Sequence, residues 1–377
     1  MYKNTKIIDA HMHYSPQTGP ARLPDFMDCT ETDMAVVQAV SHSNCISLIP
    51  GALVMKDMSP GRFYVFGSPD ASEYYLHPEE LGRYLAEYIE RMRRAGIDGV
   101  KMLEGKPQMR KTLPIPDFDA TCWEPYWAYM EENRVPFTWH VNDPENHWSP
   151  DVSEWVKKQG WWYDESYINN EVQYTQVLNV LDAHPQLHAI LAHFFFMSAQ
   201  LERIDDIMDR YPNVMLDLTP GIEMYENFSK DTKKASAFFA KHGNRIVYGT
   251  DIGGRCILTN EGDPFNEKEN LRRPQIVREF LGGSGEVLIE SDGNYLIQRE
   301  PFVMRCLGLQ GEALDNILYA NIERQIGHAP VHVNPDFVLE ECGRLKARLE
   351  LMDSKVSDFS PDGSQLILAE SYFSGGK

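Results

Sequence analysis

The segment "KIIDAHMH", residues 6–13, joins a short β-branched apolar run to two histidines that stand two positions apart. β-branched residues favour strands, and a strand alternates its side chains between two faces. His11 and His13 would therefore project from the same face, and Asp9 would share it. The segment predicts a strand that presents a pair of metal-binding imidazoles, provided that the fold brings further ligands to them.

Short apolar runs alternate with longer helical stretches along most of the chain, which is typical of βα units around a parallel sheet. Segments such as "HPEELGRYLAEYIERMRRAG" and "SAQLERIDDIMDRY" carry apolar residues at helical spacing. The pattern predicts the α/β class and a (β/α)8 TIM barrel, whose active site lies at the carboxyl ends of the strands. The expected strands are "KIIDAH", "CISLIP", "FYVFGS", "DGVKML", "PFTWHV", "HAILAHF", "VMLDLT" and "RIVYGTD".

After residue 285 the pattern becomes purely helical and ends in "DFVLEECGRLKARLELM" followed by a polar tail. We therefore expect a metal-dependent catalytic barrel over residues 1–335 and a C-terminal helix and tail over residues 336–377. This extension is expected to pack on the barrel or on a partner subunit, so formation of a homo-oligomer is left open.

Composition narrows the class of partner. The formal net charge is −20 at pH 7, which would repel nucleic acid and an anionic membrane over most of the surface. The chain has no apolar run long enough to cross a bilayer and no basic-then-apolar leader, so we expect a cytoplasmic protein with a small-molecule substrate. The 6 cysteines include no CxxC pair and are expected to be reduced thiols.

Further polar residues end three other predicted strands. His140 ends "PFTWH", His193 ends "HAILAH" and Asp251 ends "RIVYGTD". One such residue is commonly a loop cap, but together with His11 and His13 these residues form a set of nitrogen and oxygen ligands at one face of the barrel. Imidazole and carboxylate ligands suit zinc, with manganese and iron as alternatives.

The chain resembles the amidohydrolase superfamily, most closely the amidohydrolase-related branch that contains aminocarboxymuconate-semialdehyde decarboxylase and many hydrolases and lactonases. The motifs that carry the resemblance are "IIDAHMH", "LAH", "YPNVMLDLT", "RIVYGTD" and "LGLQGEALDNILYANIERQIG" at residues 307–327. The resemblance implies one divalent metal with the ligands His11, His13, His140 and Asp251, and makes His193 the catalytic acid or base. "HFFFMSAQ" after His193 departs from the glycine-rich run that is usual in this branch.

Such a metal would lower the pKa of a bound water to about 7 and polarise a substrate carbonyl. Asp251 would orient the water and exchange its proton, a role that His193 is able to share. We therefore expect a metal-dependent hydrolase that acts on a C–O or C–N bond of a small carboxylate- or ring-bearing metabolite. The alternative is a non-oxidative decarboxylase of the same branch, and a third interpretation is a barrel without catalytic activity.

Lys101 ends the fourth predicted strand, where binuclear amidohydrolases place a carboxylated lysine between two metals. The favoured interpretation is instead a single metal, with Lys101 binding a substrate carboxylate or an acidic neighbour. Asp9 is expected either to hold a ligand imidazole or to be a buried structural carboxylate. The following basic residues would steer an anionic substrate or would form an ordinary surface loop: Lys106, Arg110 and Lys111.

Residues 141–167 form an unusually long connection after the fifth strand, and this segment contains four of the 7 tryptophans. Long barrel loops are commonly lids, so Trp148, Trp161 and Trp162 are expected to cover a substrate ring, with a subunit interface as the alternative. His147 in this loop is expected at the surface. Arg255 would bind a substrate carboxylate or form a salt bridge.

Overall fold

A computed structural model describes residues 5–16, 20–40, 47–152, 154–158, 160–221, 223–253, 267–290, 300–355 and 362–375. Its core is a parallel nine-stranded sheet in the order β8-β7-β6-β5-β4-β3-β2-β1-β9. The strands are β1 (Ile8–His13), β2 (Met34–Ala39), β3 (Phe63–Gly67), β4 (Gly99–Gly105), β5 (Phe137–Val141), β6 (Ala189–Leu191), β7 (Met215–Asp217), β8 (Ile246–Val247) and β9 (Ile252–Gly253).

The last barrel strand is divided between β8 and β9. β8 pairs with β7, whereas β9 pairs with β1 through Met12 and His13. Residues 246–253 therefore border both ends of the sheet and close the ring. The predicted TIM barrel is confirmed, and the carboxyl ends of its strands meet at one face.

Helices surround the barrel and continue beyond it. They are α1 (Arg22–Cys29), α2 (Ile49–Met58), α3 (Glu73–Leu76), α4 (Leu81–Ala95), α5 (Pro107–Thr112), α6 (Glu124–Glu132), α7 (Glu154–Lys158), α8 (Asn170–Ala183), α9 (Leu201–Arg210), α10 (Met224–Lys230), α11 (Thr232–His242), α12 (Glu267–Gly282), α13 (Glu312–Asp315), α14 (Asn321–Ile326), α15 (Pro335–Lys355) and α16 (Ser364–Ser374). Within the residues described, none of these helices is long and apolar enough to cross a membrane.

The prediction of "CISLIP" as the second strand is wrong. The strand is "MAVVQA" at β2, and every one of its residues is buried. Ile49 instead begins α2, with Pro50 in the first turn, while Cys45 and Ile46 lie outside the described residues. Proline lacks the N–H that a central strand must donate but fits the start of a helix, so Pro50 was evidence against a strand.

The expectation of a purely helical pattern after residue 285 is also wrong. Residues Glu286–Ile289 (β10) pair antiparallel with Phe302–Arg305 (β11). Each strand is only four residues long, so its apolar run is too short to separate a strand from a helical turn by periodicity.

The C-terminal helices pack on the barrel helices. α15 contacts α4, and α16 contacts both α2 and α15. Ion pairs join α15 to the barrel, since Arg348 Nη2 lies 2.8 Å from Glu73 Oε1 and Arg91 Nε lies 3.0 Å from Glu341 Oε1. Both of these glutamates are buried, so each pair offsets part of the cost of burying a carboxylate.

Candidate active site

Three side chains with metal-ligand chemistry lie together where β1 runs beside the segment between β8 and β9. The ligand atoms of His11, His13 and Asp251 all lie within 4.8 Å of one another. Asp251 Oδ1 is 2.9 Å from His13 Nε2 and 3.7 Å from His11 Nε2. His11 is fully buried, whereas His13 and Asp251 are about one quarter exposed at 23% and 25%. The cluster therefore has a buried side and an open side toward the barrel mouth.

The backbone places Asp251 in this cluster. Its N–H donates to the carbonyl oxygen of His11 at 2.8 Å, and its own carbonyl accepts from Arg273 Nη1 at 2.8 Å. Asp251 also has a left-handed backbone with φ 59°, which aspartate tolerates better than most residues. The short break between β8 and β9 thus turns the Asp251 side chain toward the histidines of β1.

Asp217, at the end of β7, contacts the site and was missed by the sequence interpretation. Its Oδ2 lies 2.7 Å from His11 Nδ1, and both side chains are fully buried. A carboxylate at Nδ1 fixes the tautomer that leaves Nε2 able to bind a metal, and it orients the ring. The signal in the sequence was a lone aspartate inside the apolar run "VMLDL".

Asp9 does not take this role. Its Oδ1 accepts from the His11 N–H at 3.0 Å and from the Thr250 N–H at 3.2 Å, and its Oδ2 accepts from Thr250 Oγ1 at 2.5 Å. These bonds join β1 to the segment before Asp251. The structure thus favours the second expectation for Asp9, a buried structural carboxylate that supports the backbone of the site.

The protonation states of these residues suit metal binding. Burial lowers the pKa of His11 well below its usual value, and the positive charge of Lys101 lowers it further. Burial opposes the ionisation of Asp251, but its hydrogen bond with His13 and its position beside the histidines hold its pKa well below the usual range. Metal ligation needs a neutral imidazole and an ionised carboxylate, so His11 and Asp251 fit the requirement.

Lys101 on β4 lies against the same cluster. Its side chain is fully buried, and its Nζ is 2.9 Å from His11 Nε2. Burial lowers the pKa of Lys101 to about 8, although the charges of Asp217 and Asp251 act in the opposite direction. The amine therefore donates to the nitrogen that a metal would use, and Lys101 must leave His11 when a metal binds there.

His193 follows β6 in a left-handed turn. Four consecutive residues, from His193 to Phe196, have φ between 53° and 58°. This backbone costs a non-glycine residue roughly 1–2 kcal/mol. Tertiary contacts hold it, since the His193 N–H donates to Asp217 Oδ1 at 2.6 Å and Tyr174 Oη donates to the Phe195 carbonyl at 3.1 Å. These contacts explain how "HFFF" adopts a conformation that favours glycine.

The turn points the His193 ring toward the other histidines. Its ring centre is 5.4 Å from that of His11 and 4.9 Å from that of His140, and Phe196 stacks on it at 5.0 Å. Burial, together with the neighbouring His140, lowers the pKa of His193 to about 3. His193 is therefore a neutral imidazole that is able to accept a proton.

His140 is buried on β5, and its ring centre lies 4.9 Å from that of His193. Its Nε2 lies 3.4 Å from Asp143 Oδ1, and among the described residues its ring nitrogens are not part of the compact ligand group. Asp143 also accepts from Lys106 Nζ at 3.0 Å and from the Tyr163 hydroxyl. The role of His140 as a metal ligand stays a prediction.

The loop after β5 packs against Asp143 and Lys106 through Tyr163 and Trp161. The Trp148 ring lies 4.8 Å from that of Tyr163, and Lys106 Nζ lies 4.5 Å above the Trp161 ring. Trp162 is 40% exposed. The prediction of a surface position for His147 is wrong, because its side chain is fully buried.

Three other basic residues were predicted to steer or bind an anionic substrate: Arg110, Lys111 and Arg255. Arg110 donates to Asp117 Oδ1 at 2.7 Å and Lys111 donates to the Ser166 carbonyl at 3.1 Å, so both cations have protein partners. Arg255 lies outside the described residues. The substrate roles of the three tryptophans stay predictions.

The fold and the site together define a TIM-barrel protein in which histidines and an aspartate suited to hold a metal ion lie at the carboxyl ends of the strands. The amidohydrolase family model, Amidohydro_2, matches residues 76–283, which is more than half of the chain. The chain belongs to the amidohydrolase family, and the resemblance indicated by the sequence motifs is confirmed. No curated protein sequence matches the chain.

Solved structures with this fold include hydrolases and decarboxylases. The 5-carboxyvanillate decarboxylase LigW from Sphingomonas paucimobilis has a TM-score of 0.52 and 11% identity, with 86% of this chain and 99% of that chain covered. A probable 2-pyrone-4,6-dicarboxylic acid hydrolase from Acinetobacter baumannii has a TM-score of 0.50 and 11% identity, with 85% and 99% covered. IDCase from Metarhizium anisopliae has a TM-score of 0.53 and 13% identity, with 87% and 99% covered. At these identities the likeness shows the shared fold and does not select one reaction.

Proposed function

We propose that this chain is a metal-dependent hydrolase that cleaves a C–O or C–N bond of a small carboxylate- or ring-bearing molecule. The observation that carries the proposal is the compact group of His11, His13 and Asp251, with Asp217 fixing the ring of His11. One divalent metal would be held by this group, with His140 as the predicted fourth ligand and zinc as the first expectation over manganese or iron.

A bound metal would supply activated water at neutral pH and polarise the substrate carbonyl. Asp251 and His193 would then carry out the proton transfers. Asp251 is ionised and partly exposed, so it is placed to accept a proton from the attacking water and return it to the leaving group. His193 is a neutral base beside the cluster and is able to share this step.

Two other features favour an anionic or ring-bearing substrate. Lys101 places a buried amine in the cluster, and an amine that leaves His11 is able to pair with a substrate carboxylate. In the loop above the site, Trp148, Trp161 and Trp162 would cover a planar ring and exclude water.

A decarboxylase is the second candidate, because Lys101 would equally hold a carboxylate that is lost as CO2. Both reactions can be followed with the zinc-loaded protein and a panel of lactones, amides and aromatic carboxylic acids. In H2¹⁸O, hydrolysis places ¹⁸O in the product, whereas decarboxylation in D2O releases CO2 and places deuterium on carbon. We expect ¹⁸O in the product and no CO2. Released CO2 with deuterated product would instead establish the decarboxylase.

The Lys101→Ala variant distinguishes a site with one metal from a site with two. In the one-metal site the Lys101 ammonium has no lone pair for a metal, so Lys101→Ala should leave one metal per chain. The same variant removes the proposed hydrogen bond between Lys101 and the substrate carboxylate, and this loss should raise KM about 10-fold or more. The metal Kd should also fall, because the amine no longer competes for His11. Metal per chain, metal Kd and KM are measured with and without added bicarbonate.

Lys111→Ala serves as the control, because it removes a cation of α5 whose amine donates to the Ser166 carbonyl and lies 5.4 Å above the Tyr167 ring. It should change neither metal content nor KM. Two metals per wild-type chain, falling in Lys101→Ala, would show that Lys101 is carboxylated and that the one-metal proposal is wrong.

A further inference from the structure

The C-terminal helix α16 reaches the residue that follows the histidine pair. Tyr14 comes directly after His13, and its hydroxyl donates to Gln365 Oε1 at 2.6 Å. Both side chains are buried, with 3% and 5% of their surface exposed. The two residues are 351 positions apart, so this contact joins opposite ends of the described chain beside the candidate site.

The neighbouring helix α2 leaves room for this hydrogen bond at Gly51. A Cβ atom at Gly51 would lie 2.0 Å from Gln365 Oε1 and 2.4 Å from the Tyr14 hydroxyl oxygen. Real side chains do not approach so closely, so any residue other than glycine would displace Tyr14 or Gln365. Three separate elements are therefore shaped around one polar contact.

The direction of the hydrogen bond is fixed. The Tyr14 hydroxyl is the donor, because the amide oxygen of Gln365 carries no proton and can only accept. Gln365 Nε2 donates to Ser364 Oγ at 3.2 Å, which turns Oε1 toward the phenol. A buried hydroxyl without an acceptor would cost free energy, so Tyr14 follows α16 if the helix shifts.

The backbone of Tyr14 links the Tyr14–Gln365 hydrogen bond to His13. The Tyr14 N–H donates to the Gln38 carbonyl at 3.1 Å, and His13 itself is paired with Gln38 on β2 and with Gly253 on β9. Tyr14 is thus held by β2 through its backbone and by α16 through its side chain. These two attachments set the direction in which the chain leaves β1 immediately after His13.

We propose that Gln365 is a positioning residue for His13, and that α16 thereby belongs to the catalytic unit of the protein. Leu366 and Ala369 anchor the helix, because both are buried and α16 packs on α2. Gln365 does not touch the cluster, and it acts through Tyr14. The proposal rests on the proposed function only for its effect on metal affinity.

The test compares Gln365→Leu and Tyr14→Phe with Tyr372→Phe in the full chain. Tyr372 lies near the other end of α16 and donates to Asp57 Oδ2 at 2.8 Å, so its variant also removes one tyrosine hydrogen bond that joins α16 to α2. Zinc Kd is measured by chelator competition and stability by thermal unfolding. We expect Gln365→Leu and Tyr14→Phe to weaken zinc binding about 10-fold, as for other residues that orient ligands. Tyr372→Phe should lower Tm similarly without changing the zinc Kd.

A second readout needs no metal. In metal-free protein labelled with ¹³C at histidine Cε1, the His13 signal should shift in Gln365→Leu and Tyr14→Phe but not in Tyr372→Phe. An unshifted His13 signal in both variants, or an equal loss of zinc affinity in Tyr372→Phe, would overturn the proposal. If wild-type protein binds no zinc but the His13 signal shifts as expected, the proposed function fails and the positioning role stands.

Discussion

A chain with both His11→Ala and His13→Ala is expected to hold no divalent metal and to lose about 1,000-fold or more of its kcat/KM. The two imidazoles supply two of the three ligands that lie within 4.8 Å of one another, and the double variant keeps only Asp251 and the predicted ligand His140, which are too few to retain the ion. Metal per chain is measured by elemental analysis, and circular dichroism and Tm report whether the barrel is intact.

The single variants separate metal loss from damage to the fold. His13→Ala is the milder change, because this side chain is 23% exposed. His11→Ala removes a fully buried ring and its 2.7 Å bond with Asp217, so a lower Tm is expected as well. His328→Ala is the control, since this imidazole is 88% exposed and lies outside the site.

Full metal occupancy in the double variant would mean that the ion binds elsewhere. Among the described residues, the other group with suitable ligands is Asp205, Asp209 and His242 on the outer helices α9 and α11. Lys241 Nζ already lies 2.8 Å and 2.7 Å from the two carboxylates, which offsets their charge. We therefore expect no metal at this second group, and Asp205→Asn should leave the metal content unchanged.

The sequence predicted those parts of the molecule that depend on local pattern. Alternating apolar runs and helices indicated the barrel, and polar residues at strand ends indicated His11, His13 and Asp251 as neighbours. These predictions follow from topology, because the carboxyl ends of the parallel strands lie at one face of the barrel whatever conformation the loops adopt. The same reasoning failed for β2, where Pro50 in "CISLIP" was a helix-start signal.

Other features depend on contacts that no local pattern reveals. The 2.7 Å bond between Asp217 and His11 spans 206 positions, and the Tyr14–Gln365 bond spans 351. The His140 ring contacts Asp143 at 3.4 Å, and Asp143 in turn is held by Lys106 and by Tyr163 of the long loop. Side-chain direction at a strand end is thus decided by loops, and loop conformation was beyond the sequence argument.

Asp251→Asn is expected to keep the metal and to lose turnover by about 100-fold or more, within the range of positioned acid–base groups. Asparagine preserves the shape and one oxygen, and it tolerates the left-handed backbone that Asp251 adopts at φ 59°. Alanine would remove the oxygen and also strain the left-handed backbone, so a loss of turnover would not report on the proton acceptor alone. The amide cannot accept the proton that the ionised carboxylate takes.

The measurement is kcat at saturating substrate beside metal content and the metal Kd of the same preparation. A modest rise in Kd is expected because a neutral oxygen replaces an anionic ligand, so kcat is compared only at full metal occupancy. Asp205→Asn provides a matched exchange in the outer acidic group and should keep near wild-type kcat. Near wild-type turnover in Asp251→Asn would instead assign proton transfer to His193, whose neutral ring lies 5.4 Å from that of His11.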